Sequence, residues 1–169
     1  MFFDTNVLLY TIGQHDARTP AAEALLAGGG VISVQVLSEL ASVAHRKLQM
    51  SWPEVTEALD ATRILCPSPR PITAEMHDDA LRLAGQHGFH IYDALIVAAA
   101  LEADCATLYT EDLHSGQVID GRLLASTATR CSSALHRSSR SSRSCSGFRP
   151  PAIPMMTSFS RWRSTGAPM

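Results

Sequence analysis

Four acidic side chains interrupt apolar patterns in this sequence, and they are its best candidates for chemistry. Asp4 and Asp112 each follow a short apolar segment that predicts a β-strand. Glu39 and Asp93 instead lie within the apolar stripes of predicted helices. A buried carboxylate is costly unless hydrogen bonds or a cation compensate its charge. If these carboxylates meet in one cleft, their mutual repulsion favours a bound divalent cation.

Asp93 interrupts the most apolar helix of the sequence, which is predicted over residues 89–101. Ile96 and Val97 follow Asp93 by three and four positions, so they share its face of the helix. One interpretation of Asp93 is a first-turn acid that favours the helix dipole, and the other is a metal ligand. This residue pattern alone leaves both interpretations open.

Asp4 and Glu39 also have purely structural explanations. Asp4, with the two polar residues after it, is typical of an Asx turn that leaves a strand. Glu39 has Arg46 and Lys47 as partners near the end of its predicted helix, although Arg46 is two turns away. Those two cations also compensate the helix dipole, and contact with phosphate is the less favoured use.

The order of the predicted elements indicates an α/β fold with a single central sheet. Strands are predicted near residues 1–3, 31–34, 63–66, 105–110 and 118–119. Helices are predicted over residues 19–26, from 33 or 35 to 47, over 51–61, from 73 to 85 or 88, and over 89–101. This alternation predicts a mostly parallel sheet with helices on both faces. The carboxyl ends of such strands meet at one edge, where open α/β folds bind their ligands.

The size and composition of the chain predict one domain and a cytoplasmic protein. Its 169 residues, 46% of them hydrophobic, are enough for an ordinary domain with a sizeable core. The apolar runs are too short to span a bilayer, and no secretory signal pattern follows Met1, so we expect no membrane association. The four cysteines form no CxxC pair and no zinc-like spacing.

Charge divides the sequence into two parts. Residues 1–123 hold all 16 acids and seven of the 14 Lys and Arg residues, for a formal charge of -9. Residues 124–169 hold the other seven, all arginine, and no acid. We therefore expect a globular domain over 1–123 and a disordered tail, rich in Ser, Arg and Pro, over 124–169. The tail is either a basic RNA-binding arm or, in the interpretation we favour, the product of a shifted reading frame.

Four motifs surround the interrupting acids and follow one another along the chain. They are Asp4-Thr5-Asn6, Ser38-Glu39-Leu40, Tyr92-Asp93-Ala94-Leu95-Ile96 and Thr110-Glu111-Asp112. Over residues 1 to about 123, this set resembles the PIN domain. The short length and the Asp-Ala-Leu-Ile motif resemble in particular the VapC toxins of VapBC toxin–antitoxin modules.

The resemblance implies a Mg(II)-dependent endoribonuclease, with Mn(II) as a substitute ion and RNA as the substrate. It also implies a homodimer that a cognate VapB-like antitoxin holds inactive. The acidic quartet of the family, both catalytic and metal-binding, corresponds to Asp4, Glu39, Asp93 and Asp112. The small polar residue beside the site corresponds to Thr5, Asn6 or Thr110.

This activity agrees with the residue types but not with the overall charge. Phosphodiester hydrolysis needs an attacking water and relief of negative charge, and carboxylate-held Mg(II) supplies both. Because Mg(II) keeps several waters, we expect some of the four acids to act through water. A body of charge -9 repels RNA, so binding needs a local basic strip, for which Arg46 and Lys47 are candidates.

Two other functions are compatible with the sequence. The first is a degenerate PIN-like module that binds an antitoxin and contributes to operon autorepression without cleaving RNA. The second is a hydrolase that uses Asp4 as a covalent nucleophile. That chemistry calls for a second Asp at position 6 and a downstream catalytic Lys, whereas the chain has Asn6 and only Lys47.

Overall fold

Six α-helices and four short β-strands make up residues 1–13 and 17–129, the part of the chain that the computed structural model describes. The strands are β1 (Phe2–Phe3), β2 (Thr107–Tyr109), β3 (Val118–Ile119) and β4 (Leu123–Ser126). The helices are α1 (Thr5–Ile12), α2 (Thr19–Ala27), α3 (Val34–Arg46), α4 (Trp52–Leu65), α5 (Ala74–His87) and α6 (Ile91–Glu102). The predicted α/β class with a mostly parallel sheet is confirmed.

The four strands form one sheet in the order β1-β2-β4-β3. The strands β1, β2 and β4 are parallel, and β3 is antiparallel to β4 at the edge. Backbone hydrogen bonds continue this ladder past the strand ends, from Asp4 N–H to the Tyr109 oxygen (3.0 Å) and from Thr110 N–H to the Ser126 oxygen (2.9 Å). The residues that follow the three parallel strands therefore lie side by side at one edge of the sheet.

Helix α6 is the central helix of the hydrophobic core. All eight residues from Ala94 to Leu101 are buried, so the helix is covered on every side. It packs against α5, which begins at the cap Thr73 and ends at Gly88 in the left-handed conformation (φ 72°), as the sequence predicts. At 12 residues α6 is too short to span a bilayer, and within residues 1–13 and 17–129 no helix is long and apolar enough to do so.

Two predicted strands are wrong. Residues 31–34 form only single bridges, because Ser33 caps α3 and Val34 is already its first residue. Residues 63–66 complete α4 instead, with Arg63 paired to Asp60 one turn earlier. A short apolar run does not distinguish a buried strand from the last turn of a helix, and Ile64 is in fact exposed.

Two elements near the ends of the described chain were not predicted. Helix α1 starts directly at Thr5, without a loop between it and β1. Strand β4 extends past position 123, and Ala125 and Ala128 are both fully buried. The tail predicted over residues 124–169 lies outside the described residues from position 130 onward.

The contribution of β4 predicts where the chain can be shortened. A chain that ends at Thr129 is expected to unfold cooperatively, with a midpoint close to that of the full chain. A chain that ends at Arg122 loses the strand between β2 and β3 together with buried Leu123, which costs more than about 3 kcal/mol. Thermal unfolding followed by circular dichroism measures the difference. Equal midpoints for the two truncations would contradict the structural role of β4.

Candidate active site

Asp4 lies at the junction of β1 and α1, where its carboxylate is buried. It is the N-cap of α1, and its Oδ1 accepts a hydrogen bond from Thr5 N–H at 2.5 Å. Its Oδ2 accepts from the Thr110 hydroxyl at 2.5 Å and from the Asn6 amide at 3.1 Å. Only 4% of the Asp4 surface is exposed. The Asx-turn interpretation is thus half correct, because Asp4 caps a helix and also faces the end of β2.

Asn6 and Thr110 connect Asp4 with Asp112. The Asn6 amide nitrogen also donates to Asp112 Oδ2 at 3.1 Å, so that one amide group links both carboxylates. The Thr110 hydroxyl, which donates to Asp4, accepts a hydrogen bond from Asp112 N–H at 3.1 Å. These two polar side chains therefore fix the spacing between an acid after β1 and an acid after β2.

Glu39 joins the group through the first turn of α1. Its Oε2 accepts from the Thr5 hydroxyl at 2.9 Å, and its Oε1 accepts from the Gln35 amide at 2.7 Å. The structural alternative for Glu39, a pairing with Arg46 or Lys47, is not what the structure shows. Sequence reasoning missed Gln35, although its spacing of four residues from Glu39 on one helix was a usable signal.

Asp93 is the third residue of α6 and is half-buried. Burial is the largest cause that raises the pKa of its carboxyl, and the negative charges of Asp112 and Glu39 raise it further. His90, the cap of α6, acts in the opposite direction and lowers this pKa. Asp93 is thus a first-turn acid and also lies within electrostatic range of the other carboxylates. Sequence reasoning did not identify His90 as part of this site.

Burial dominates the protonation of Asp4. It raises the pKa of the Asp4 carboxyl from 3.8 to about 7, against the hydrogen bonds from Thr110 and Thr5, which lower it. The negative charges of Asp112 and Glu39 raise it as well. The site therefore holds an excess of negative charge that its hydrogen-bond donors compensate only in part.

The predicted basic contacts lie apart from these acids. Arg46 is the last residue of α3 and Lys47 is its C-cap, and both are exposed. Arg46 is seven residues beyond Glu39, which corresponds to roughly 10 Å along the helix axis. The structure thus brings together seven predicted residues and leaves these two at the far end of α3: Asp4, Thr5, Asn6, Glu39, Asp93, Thr110 and Asp112.

The donor set suits a hard cation that keeps most of its water. Among residues 1–13 and 17–129, no three His, Cys, Asp or Glu side chains stand ready to hold one ion directly. Mg(II) does not require such a cage, because it binds proteins through one or two carboxylates and retains several waters. Asn6 Oδ1 is buried and has no hydrogen-bond partner, so a further oxygen ligand is free beside the carboxylates. These residues therefore fit a hydrated divalent cation.

Comparisons with known proteins agree with this architecture. The family model of the PIN domain matches residues 1–118. The structure of Mycobacterium tuberculosis VapC20, described as a Sarcin-Ricin loop cleaving toxin, is similar with a TM-score of 0.53 and 21% identity over 66% of this chain and 88% of that chain. The structure of Rickettsia felis VapBC2, bound to a DNA fragment from its promoter, is similar with a TM-score of 0.53 and 24% identity. This match covers 75% of this chain and 96% of that chain. Curated proteins gave no match. At these identities the two structures show a shared fold.

The raised pKa of Asp4 predicts how stability depends on pH in EDTA. Because the folded-state pKa lies above the unfolded value of 3.8, the neutral form stabilises the fold below pH 4, and this stabilisation is lost as pH rises through about 7. Asp4→Asn imitates the neutral form. We expect it to match the wild type at pH 4 and to be more stable by up to about 4 kcal/mol at pH 8.

Urea unfolding of both chains at the two pH values measures this difference. Asp60→Asn, at an exposed carboxylate, is the matched control and should show no such gain. An Asp4→Asn chain that is no more stable than the wild type at pH 8 would contradict the assignment of a costly buried charge.

Proposed function

This chain belongs to the PIN domain family, and from that premise we propose that it is a metal-dependent endoribonuclease that hydrolyses RNA phosphodiester bonds. The observation that carries the proposal is the hydrogen-bonded group of Asp4, Asp112 and Glu39, which Thr5 and Asn6 connect at the carboxyl edge of the parallel strands. Asp93, on the first turn of α6, lies within electrostatic range of Asp112 and Glu39. Two of these acids follow strands and two lie on helices, so the fold itself gathers them. A hard divalent cation held by carboxylate oxygens offsets the repulsion between such acids.

We propose further that the chain is a VapC-type toxin with a VapB-like antitoxin as its partner. The fold is shared with VapC20, which is described as a toxin that cleaves the Sarcin-Ricin loop. It is also shared with VapBC2, whose structure contains a bound DNA fragment from the promoter. In this proposal the toxin is a cytoplasmic homodimer, and the antitoxin blocks it until RNA cleavage is needed.

Mg(II), with Mn(II) as a substitute, is the proposed cofactor. Asp4 and Asp93 are the proposed direct ligands, and Asp112 and Glu39 act next to them or through water. When bound, the ion supplies charge neutralisation on the phosphate and a more acidic attacking water. The free oxygen of Asn6 is available to the same ion or to one of its waters.

The polar residues of the chain hold these acids in position. Thr110 fixes Asp4 through its hydroxyl and fixes the backbone of Asp112 at the same time. Thr5 contributes its backbone N–H to Asp4 and its hydroxyl to Glu39, so that the first turn of α1 orients two acids. Such outer partners keep carboxylates in a productive orientation and prevent them from moving apart under their own repulsion.

The chemistry is assigned to the folded part of the chain. We propose that residues 1–123, completed by the rest of β4, form the nuclease domain and that the remainder of the 124–169 tail is not required for hydrolysis. Arg46 and Lys47 remain the proposed phosphate contacts, since both are exposed at the end of α3. Because they lie apart from the acids, they are suited to a phosphate other than the one that is cleaved.

Cleavage of a mixed structured RNA by the purified protein tests the proposed function. We expect cutting in Mg(II) or Mn(II), none in EDTA, and a loss of at least about 100-fold in Asp93→Asn, because a ligand carboxylate is removed. The exposed acid Asp60 provides the control, and Asp60→Asn should cut like the wild type.

Two results would contradict the proposal. Cutting that persists in EDTA, or that is equal in the wild type and Asp93→Asn, would exclude this carboxylate site as its source. Antitoxin binding without any metal-dependent cutting would instead favour the degenerate binding module.

A further inference from the structure

Two exposed rings, those of His90 and Tyr92, lie at the start of α6. Tyr92 is 53% exposed, a large fraction for an aromatic side chain in a helix. Its ring centroid lies 5.2 Å from that of His90, and the two planes are tilted by 43°. His90 caps the helix by accepting from Tyr92 N–H at 3.5 Å, which places its ring at the helix start. The pair is therefore a ring surface open to solvent.

This ring surface borders the carboxylate site. Asp93 directly follows Tyr92 and lies three positions after the cap His90, so that His90 and Asp93 are neighbours on the first turn of α6. Asp93 in turn feels the charges of Asp112 and Glu39. A group that lies on the rings is thus next to the acids that we propose hold the cation.

The net negative charge of residues 1–123 disfavours the binding of RNA, which is also negatively charged. The domain carries seven Lys and Arg residues against 16 acids in residues 1–123. Several of these cations are already occupied in ion pairs with acids of the domain, among them Arg63, Arg70, Arg82 and Arg122. Beside the proposed cation and the proposed phosphate contacts of Arg46 and Lys47, RNA binding at the site therefore gains from an attraction that does not require positive charge.

Stacking of a nucleobase on an aromatic ring is such an attraction. It contributes roughly 1 to 3 kcal/mol per base and is available only to bases that are not paired in a duplex. The exposed phenol of Tyr92 offers a face of suitable size, and the imidazole of His90 supports it from the side.

We propose that Tyr92 and His90 form a base-stacking platform that holds an unpaired nucleobase of the RNA next to the cleaved phosphate. The platform makes single-stranded RNA, or a loop with an unstacked base, the preferred substrate. This inference rests on the proposed ribonuclease function and adds to it the feature of RNA that the site recognises. Tyr92 and His90 are positioning residues in this account, because they touch the substrate base and not the reacting atoms.

Binding of two short RNAs to the full chain tests the platform. One is an eight-nucleotide oligouridine, and the other is the same ribose-phosphate backbone without bases, both labelled for fluorescence anisotropy. Every chain carries Asp93→Asn and the buffer contains Mg(II), and a gel verifies that the RNA stays intact. Because the two RNAs have equal charge, their difference in Kd reports on the bases alone.

Tyr92→Ala is expected to raise the Kd for oligouridine by about 5- to 150-fold and to leave the Kd for the abasic backbone unchanged. Tyr92→Phe keeps the ring and should stay within about twofold of the parent chain. Trp52→Ala is the matched control, since Trp52 is 60% exposed but stacks on His45 at the start of α4. It should change neither Kd.

Three results would overturn the platform. They are an unchanged Kd for oligouridine in Tyr92→Ala, an equal loss for both RNAs, and a change in oligomeric state in place of RNA affinity, which would make the rings a protein contact. The proposed function fails separately, through the absence of metal-dependent cutting by the chain with Asp93 intact. Each proposal can therefore fail while the other stands.

Discussion

The buried negative charge of Asp4 is the constraint on which the rest of the site depends. A carboxylate in this position is unfavourable without compensation, and Asp112 and Glu39 increase the cost. The chain supplies compensation from two directions, because Thr5 N–H comes from the start of α1 and the Thr110 hydroxyl comes from the end of β2. Since these donors offset the charge only in part, the cation that we propose would complete the compensation.

The sheet is short, but its topology is sufficient to create this arrangement. Strand β1 has only two residues, yet its pairing with β2 places position 4 beside position 110. Gly30 permits the close approach of the next segment, because a Cβ at that position would overlap the ring of Phe3. Helix α6 is buried along most of its length, and this packing holds its first turn, with Asp93, in place beside the core. The acids thus converge from separate parts of the sequence through backbone geometry, with no dedicated loop.

Local patterns in the sequence predicted the features that depend on local physics. The starts of α4 and α5, the end of α5 at Gly88 and the apolar run of α6 all appear where they were expected. The site acids could be found because each one violates an apolar pattern, and a violation is visible without a structure.

Features that depend on tertiary pairing could not be predicted in this way. The single bridges at Val31 and Ser33 and the strand status of β4 are decided by partners distant in the sequence. The domain boundary predicted from charge, at position 123, falls inside β4 for the same reason. The composition changes there, while the pairing with β2 continues to Ser126. Gln35 and His90 were not assigned to the site because neither violates a pattern. Only the hydrogen bond from Gln35 to Glu39 and the electrostatic effect of His90 on Asp93 reveal them.

The central claim is that these carboxylates hold one divalent cation at the carboxyl edge of the sheet. Anomalous diffraction from crystals of the full chain grown with Mn(II) tests it most directly, because the signal locates the ion independently of any activity. The account predicts one strong anomalous peak beside the carboxylates of Asp4 and Asp93, within reach of Asp112 or its waters. Crystals that contain Mn(II) only at other places, or no ion at all, would contradict it.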